Sequence, residues 1–158
     1  MINFVARTIL VPHDGYSMSD KALQYALDIA ESMNMSVKIV RVIDEAVGDS
    51  TIAQLRDVER QTIRKDVELQ LAKAREGEYN KLKKQLATSH SRGVEASALV
   101  LEGNVVEKIT SVINKERPYL VVVGSGKLPS RGLSKLKTLG SVARKLTEES
   151  KCPVLVVR

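Results

Sequence analysis

A segment rich in glycine and lysine, between residues 124 and 141, has the composition best suited to binding an anion. It reads GSGKLPSRGLSKLKTLGS. Glycines let backbone N–H groups approach a phosphate closely, and a helix starting after the segment adds the positive end of its dipole. Ser141 would cap that helix or donate its hydroxyl, while Lys127 and Arg131 add positive charge. Loops that end parallel strands are commonly rich in glycine, so this pattern alone does not identify a ligand.

The same segment departs from two familiar nucleotide-binding patterns. A Walker A loop needs a glycine five residues before its Gly–Lys pair and Ser or Thr after it, but these positions hold Val121 and Leu128. The dinucleotide pattern fails because Pro129 occupies the position of its third glycine. Neither a P-loop nor a dinucleotide-binding loop is therefore predicted.

Two polar residues, His13 and Asp14, follow the first apolar run of the chain. Asp14 can accept hydrogen bonds from a base or a ribose, and in the sequence HDGYS it can equally cap a helix or hold a turn. His13 is a candidate base. However, adjacent residues on an extended segment point in opposite directions, so His13 and Asp14 are not expected to face the same site. A structural or an exposed histidine is therefore favoured.

The remaining reactive residue types do not form a recognisable catalytic set. No Ser–His–Asp or Cys–His arrangement can be assigned, and no group of residues has the spacing of metal ligands. His90 lies in a polar segment and is expected to be solvated. Cys152, the one cysteine, is expected to be a small buried residue before the last strand, and a lone cysteine is typical of a reducing cytoplasm.

Short apolar runs alternate with segments of helical periodicity, and these predict the elements that position the polar residues. Strands are expected near residues 6–12, 36–43, 95–101, 119–124 and 153–157. Helices are expected over about 17–33, 105–117 and 141–149, with Ser17 and Ser19 as candidate N-caps of the first. This alternation is typical of an α/β fold with a doubly wound parallel sheet, where ligands bind beyond the carboxyl ends of the strands.

A long charged stretch covers residues 51–89. Its apolar residues recur mostly at intervals of three or four, which predicts an amphipathic helix with a break near Gly77. The charges in this stretch are balanced. A solvated helix covering the sheet is therefore favoured over an arm that binds nucleic acid.

The length of 158 residues, with 43% apolar and 28% charged residues, predicts a single domain over residues 1–158. The longest apolar runs have four or five residues, too few for a membrane span or a secretory signal. One Phe, four Tyr and no Trp argue against a stacking platform for nucleic acid. The net charge of +6 falls entirely within residues 127–158, which indicates a local attraction for an anionic partner or simply a solvated basic surface.

Four pieces of the sequence, taken in order, resemble the universal stress protein family. They read TILVPHDGYSMSDKALQYALDIA, VKIVRVID, EGNVVEKITSVINKERPYLVVVGS and LGSVARKLTEESKCPVLVVR. The resemblance implies a five-stranded parallel sheet of order 3-2-1-4-5 with helices on both faces. It also implies a cytoplasmic homodimer that pairs through the final strand, residues 153–157. Many members bind ATP or a related adenine nucleotide, and a subset does not.

The resemblance also assigns roles to individual residues. Nucleotide-binding members place an aspartate near adenine and ribose, matched by Asp14, and use the backbone of a valine for adenine, matched by Val42. Their phosphate loop has the pattern Gly, two residues, Gly, nine residues, Gly, Ser/Thr; Gly124 fits its start and Gly140–Ser141 fit its end. Lys127 replaces the second glycine, and the loop is about three residues longer than the pattern. The predicted nucleotide-binding residues are Pro12, His13, Asp14, Val42, Val123, Gly124, Gly126, Lys127, Arg131, Gly140, Ser141 and Val142.

The sequence therefore supports three functions. The first is a dimeric stress-response regulator that binds ATP, ADP or AMP without efficient turnover, with Mg²⁺ only as a companion of the nucleotide. The second is a dimeric interaction module that binds no nucleotide and presents its basic C-terminal face to a regulatory protein or nucleic acid. The third is an enzyme, for which slow ATP hydrolysis is the most that the sequence suggests.

Overall fold

The computed structural model describes residues 7–44, 57–126 and 140–158. Within these ranges the elements are β1 (Thr8–Pro12), α1 (Ser17–Met33), β2 (Ser36–Ile43), α2 (Asp57–Ser91), β3 (Ala96–Glu102), α3 (Val105–Glu116), β4 (Leu120–Gly124), α4 (Ser141–Glu149) and β5 (Val154–Val157). The strands form one sheet of order β3-β2-β1-β4-β5, and all neighbouring pairs are parallel. The predicted α/β fold and strand order are confirmed, and the strand bounds lie within two residues of those predicted.

The middle of the sheet is buried on both faces because β1 and β4 carry continuous apolar runs. On β1, Ile9 and Val11 face a core formed with α1 and the C-terminal part of α2. Leu10, between them, faces a second core formed with α3 and α4. All three side chains are at most 1% exposed. A continuous apolar run of this kind is what a central parallel strand requires.

The N-terminus of α1 differs from the predicted caps. The N-cap of α1 is Tyr16, and no side chain caps the helix there; Ser17 is the first helical residue. The assignment of Ser17 and Ser19 as N-caps was therefore wrong, because the Ser19 hydroxyl donates to Asp14 Oδ1 instead. Helix α3 is capped by Asn104, whose Oδ1 accepts from the backbone N–H of Glu107 at 3.1 Å.

Helix α2 is continuous over 35 residues and passes through Gly77 without the predicted break. A glycine inside a helix costs only about 1 kcal/mol relative to alanine, which the neighbouring turns absorb. Two ion pairs mark the level of the sheet edge: Glu78 with Arg41 of β2, and Arg75 with Glu102 of β3. The buried residues of α2, Leu82 and Ser89, lie after Glu78. The preceding residues 57–74 span roughly 27 Å of helix and contain no buried side chain among those described.

The C-terminal part of α2 is held against α1 by both apolar and charged contacts. Leu82 is 3% exposed and belongs to the core shared with α1. Just beyond the helix, Arg92 donates to Asp28 at 2.6 Å and to Glu31 at 2.5 Å. Within the described ranges, no helix is long and apolar enough to cross a membrane.

We predict opposite effects on stability from alanine at two glycines. A Cβ on Gly124 would lie 2.8 Å from the backbone oxygen of Met18, so Gly124→Ala should lower the free energy of unfolding by about 1–3 kcal/mol. A Cβ on Gly77 would meet no described atom within 4 Å, so Gly77→Ala should raise it by about 0.5–1 kcal/mol. Urea unfolding of both variants measures the difference. A loss of stability in Gly77→Ala would contradict a continuous α2.

Candidate functional site

A cleft of about 260 Å³ lies beyond the carboxyl ends of the central strands. This is the edge at which open α/β sheets bind their ligands. The cleft is bounded by the turn after β1, the ends of β2 and β4, and the first turns of α3 and α4. Its lining residues are Pro12, His13, Asp14, Ser19, Arg41, Val42, Val105, Val123, Gly124, Gly126, Gly140, Ser141, Val142 and Ala143.

The cleft brings together ten of the twelve residues predicted from the sequence. The other two, Lys127 and Arg131, lie outside the described residues. Four lining residues were not predicted: Ser19, Arg41, Val105 and Ala143. Arg41 and Ala143 directly adjoin predicted residues along the chain, so a wider window would have included them. Ser19 and Val105 have no such signal in the sequence.

Asp14 holds the turn that leads from β1 into α1. Its Oδ1 accepts from the backbone N–H of Tyr16 at 2.9 Å and from the hydroxyl of Ser19 at 2.7 Å. This is the turn role that the sequence offered as one alternative. Both bonds use the same oxygen, and the residue is exposed at the cleft. The carboxylate is therefore anchored through one oxygen, and Oδ2 has no hydrogen bond to a described residue.

The ring of His13 lies away from solvent, with its side chain 1% exposed. Its Nε2 lies 2.9 Å from Asp20 Oδ1 on α1, and its Nδ1 accepts from the backbone N–H of Gly15 at 3.1 Å. The two ring nitrogens are thus both engaged within the protein. His13 lines the cleft as part of the turn, and its buried ring supports the turn through the hydrogen bond with Gly15.

Helix α4 presents its N-terminus to the cleft, and no side chain among the described residues caps it. Its N-cap is Gly140, which has no side chain to accept from the first turn, so the prediction of Ser141 as the cap was wrong by one residue. The first intrahelical bond is from Arg144 N–H to the Gly140 oxygen. The N–H groups of residues 141–143 therefore precede any intrahelical partner, and these residues line the cleft. Backbone donors and the helix dipole together favour an anion here.

Close backbone contacts fix the position of this helix end. Gly140 donates its N–H to the oxygen of Ser125 at 2.6 Å, and Ser125 donates its own N–H to the oxygen of Val157 at 2.8 Å. Gly126 has φ +92°, and a Cβ on it would lie 3.1 Å from Cα of Gly140. Glycine is needed at both positions, since a side chain at either one would push the end of β4 away from the start of α4.

Part of the cleft lining is apolar. Val42 and Val123 are 6% and 5% exposed, and their side chains pack into the core beneath α3 and α4. Val105 and Val142 pack against the same core from the first turns of the two helices. The cleft lining thus combines apolar side chains with a carboxylate and with the N–H groups of the first turn of α4.

The end of β2 is braced by an ion pair on the other face of the sheet. Arg41 precedes Val42, and its Nε donates to Glu78 Oε2 at 2.9 Å. Glu78 also accepts from Lys81 at 2.7 Å. Hydrogen bonds from Lys81 and Arg41 lower the pKa of the Glu78 carboxyl, against the opposing effect of burial. The brace is therefore charged at neutral pH.

Cys152 and His90 lie apart from the cleft. Cys152 is half-buried two residues before β5, where its thiol donates to the oxygen of Pro118 at 3.1 Å, and burial raises the pKa of the thiol. His90 is exposed, as predicted, and its Nε2 donates to the oxygen of Ala96. Among the described residues, no group of His, Cys, Asp and Glu is arranged to hold a metal ion.

The sequence model of the universal stress protein family matches residues 6–158. The chain therefore belongs to the universal stress protein family, whose members act in stress responses. Universal stress protein YxiE of Bacillus subtilis (strain 168) is 32% identical over 156 residues, covering 95% of this chain and 97% of the relative.

Solved structures share the fold. Hypothetical protein MJ0577 has a TM-score of 0.76 at 22% identity, covering 96% of this chain and 94% of the other. A universal stress protein in complex with cAMP has a TM-score of 0.65 at 22% identity, covering 96% of both chains. The universal stress protein from Archaeoglobus fulgidus in complex with dAMP has a TM-score of 0.59 at 14% identity, covering 97% and 98%.

We predict that the brace behind the cleft depends on pH. The pKa of Glu78 is lower in the folded protein than in the unfolded chain, so its ion pairs stabilise the fold at neutral pH and lose this effect as the pH falls through that lowered pKa. Glu78→Gln should lower the free energy of unfolding by about 0.5–1 kcal/mol at neutral pH. Urea unfolding at neutral pH, and well below the ordinary glutamate pKa of about 4.3, measures the change.

The matched control is Glu76→Gln, which removes the same charge from an exposed position two residues earlier. It should have little effect at either pH. A stability difference for Glu78→Gln that persists undiminished in acid would contradict an ionic origin.

Proposed function

We propose that the cleft binds an adenine nucleotide and that the protein acts as a nucleotide-responsive regulator rather than as an efficient enzyme. One observation carries this proposal: five separate parts of the described chain place a carboxylate, apolar side chains and a helix N-terminus around one cleft at the sheet edge. The complexes of two family members with cAMP and dAMP support an adenine nucleotide as the ligand.

The nucleoside would occupy the end of the cleft formed by Asp14 and Val42. The second carboxylate oxygen of Asp14 can accept a hydrogen bond from a ribose hydroxyl while Oδ1 continues to hold the turn. Backbone groups at the end of β2 can pair with the base, since Val42 turns its side chain into the core and leaves its peptide groups at the cleft.

The phosphates would meet the first turn of α4. The N–H groups of Ser141 and Val142 are unused by the helix, and Gly126 and Gly140 permit close approach of a ligand to the backbone. Mg²⁺ would reach this site only as a companion of the nucleotide phosphates. Charge from Lys127 and Arg131 stays a prediction from the sequence.

The titratable side chains of the described lining support binding more than turnover. There are three of them, and each is already engaged: Asp14 holds a turn, His13 contacts Asp20, and Arg41 pairs with Glu78. Efficient hydrolysis requires a group that orients and activates water. We therefore propose at most slow hydrolysis.

A homodimer through β5 is the proposed assembly. β5 is an edge strand of the sheet, and Leu155 on it is 37% exposed. An apolar edge strand left open is a site of unwanted pairing, and a second copy of the same strand would cover it. A reducing cytoplasm is the proposed location, in keeping with the free thiol of Cys152.

We predict that Ser141→Asp separates phosphate binding from nucleoside binding. A carboxylate at the first position of α4 repels phosphate, so ATP affinity should fall by about tenfold or more, while adenosine affinity changes little. The same carboxylate favours the helix dipole, so thermal stability should not fall. Calorimetric titration with adenosine, AMP, ADP and ATP, together with a melting curve, measures both effects.

Two further variants complete this experiment. Gln61→Glu makes the same change of charge on exposed α2 and should leave all affinities unaltered. Asp14→Ala should weaken adenosine and ATP alike, because it removes the contact at the nucleoside end. If the unaltered protein binds neither ligand at millimolar concentration, the nucleotide proposal fails and the interaction module becomes the better hypothesis.

The dimer is tested with two lysine variants. Leu155→Lys places a charge on the edge of β5 and should shift the protein from dimer to monomer at micromolar concentration in light scattering. Leu69→Lys makes the same change at a residue of α2 that is 56% exposed, and it should leave the dimer intact. A wild-type protein that is monomeric under these conditions would exclude the proposed interface.

A further inference from the structure

The turn after β1 satisfies each of its backbone N–H groups in a different way. The N–H of His13 continues the sheet by donating to β2 at 2.8 Å. The N–H of Asp14 donates to the Ser19 hydroxyl at 3.2 Å, and that of Tyr16 donates to Asp14 Oδ1. The remaining group, the N–H of Gly15, donates to Nδ1 of the His13 ring. One lone pair of an imidazole therefore completes the turn that carries Asp14.

The contacts of the ring define where its proton resides. Nδ1 accepts a backbone N–H, so in the neutral ring the proton is on Nε2 and is donated to Asp20 Oδ1 at 2.9 Å. The same oxygen of Asp20 accepts from Gln85 Nε2 of α2 at 3.3 Å. The ring is thereby held from α1 and α2, in a place where its side chain is 1% exposed.

We propose that His13 is a positioning residue of the nucleotide site. Its Nδ1 holds the N–H of Gly15, which fixes the turn at φ +88° and so directs the Asp14 carboxylate towards the cleft. Asp20 accepts the Nε2 proton of the ring and so favours the Nε2–H form, and Gln85 donates to the same oxygen of Asp20. This inference rests on the proposed nucleotide binding and adds to it a connection between the cleft and the covering helix α2.

The buried position of the ring argues against direct contact with a ligand. Both ring nitrogens are engaged by protein groups, and a ligand would have to break one of those bonds to reach the ring. Breaking the Gly15 bond would remove the acceptor that holds the turn. The ring therefore acts on a ligand through Gly15 and Asp14.

Two substitutions separate the functions of the two ring nitrogens. His13→Asn places its amide oxygen near the former position of Nδ1 and can still accept from Gly15. His13→Gln places its amide nitrogen near the former position of Nε2 and can still donate to Asp20. Adenosine affinity of the Asn variant should stay within about twofold of wild type, whereas that of the Gln variant should fall by about fivefold.

A role in packing alone makes the opposite prediction. Asn leaves the larger cavity, so a side chain needed only to fill space would be replaced better by Gln. Equal affinities for the two variants, or a weaker Asn variant, would overturn the positioning role.

A measurement on the ligand-free wild type keeps this proposal separate from the proposed function. Nitrogen NMR of the labelled ring should show the proton on Nε2, and hydrogen exchange at the Gly15 amide should be slow in wild type and faster in the Gln variant. A proton on Nδ1, or a Gly15 amide that exchanges equally in both proteins, would refute the positioning role. Absent adenosine binding with a protected Gly15 amide would refute the nucleotide site and leave the His13–Gly15 link supported.

Discussion

The rest of this structure depends on one constraint: a parallel sheet with two buried faces must return its chain through helices, and all its strands end at the same edge. Ile9, Leu10 and Val11 show the first half of the constraint, since consecutive side chains are buried on opposite faces. The helices that cover those faces begin where the strands end. Helix N-termini and strand carboxyl ends therefore gather at one edge, and the cleft forms there without any separate device.

The sheet was predictable from the sequence because its signals are local. Short apolar runs bounded by proline, glycine or polar residues identify buried strands, and family motifs supply their order. Residue type alone did not predict the N-cap of α1 or the continuity of α2, because neighbouring residues outweigh the preference of a single residue. Ser19 is a good N-cap by residue type, but its hydroxyl bonds to Asp14. Gly77 is a poor helical residue, yet the turns on both sides continue the helix through it.

The sequence predicted most of the residues that line the cleft, but it did not predict the hydrogen bonds that they make. Spacing along the chain placed Asp14, Val42 and Gly140 at ends of neighbouring elements, and the sheet brings those ends together. The Gln85 amide, which shares Asp20 Oδ1 with the His13 ring, follows Asp20 by 65 residues along the chain. A contact of that kind has no signature in the nearby sequence.

The backbone bond between Gly140 and Ser125 joins the two ends of the segment 127–139 at its base. The entropy of closing such a segment grows only with the logarithm of its length, so three residues added to about ten cost roughly 0.2 kcal/mol. The described lining of the cleft ends at the bond between Ser125 and Gly140, so this cost does not alter the lining. Insertions and deletions between Gly126 and Gly140 are therefore expected to change the stability little, as long as the bond between Ser125 and Gly140 is kept.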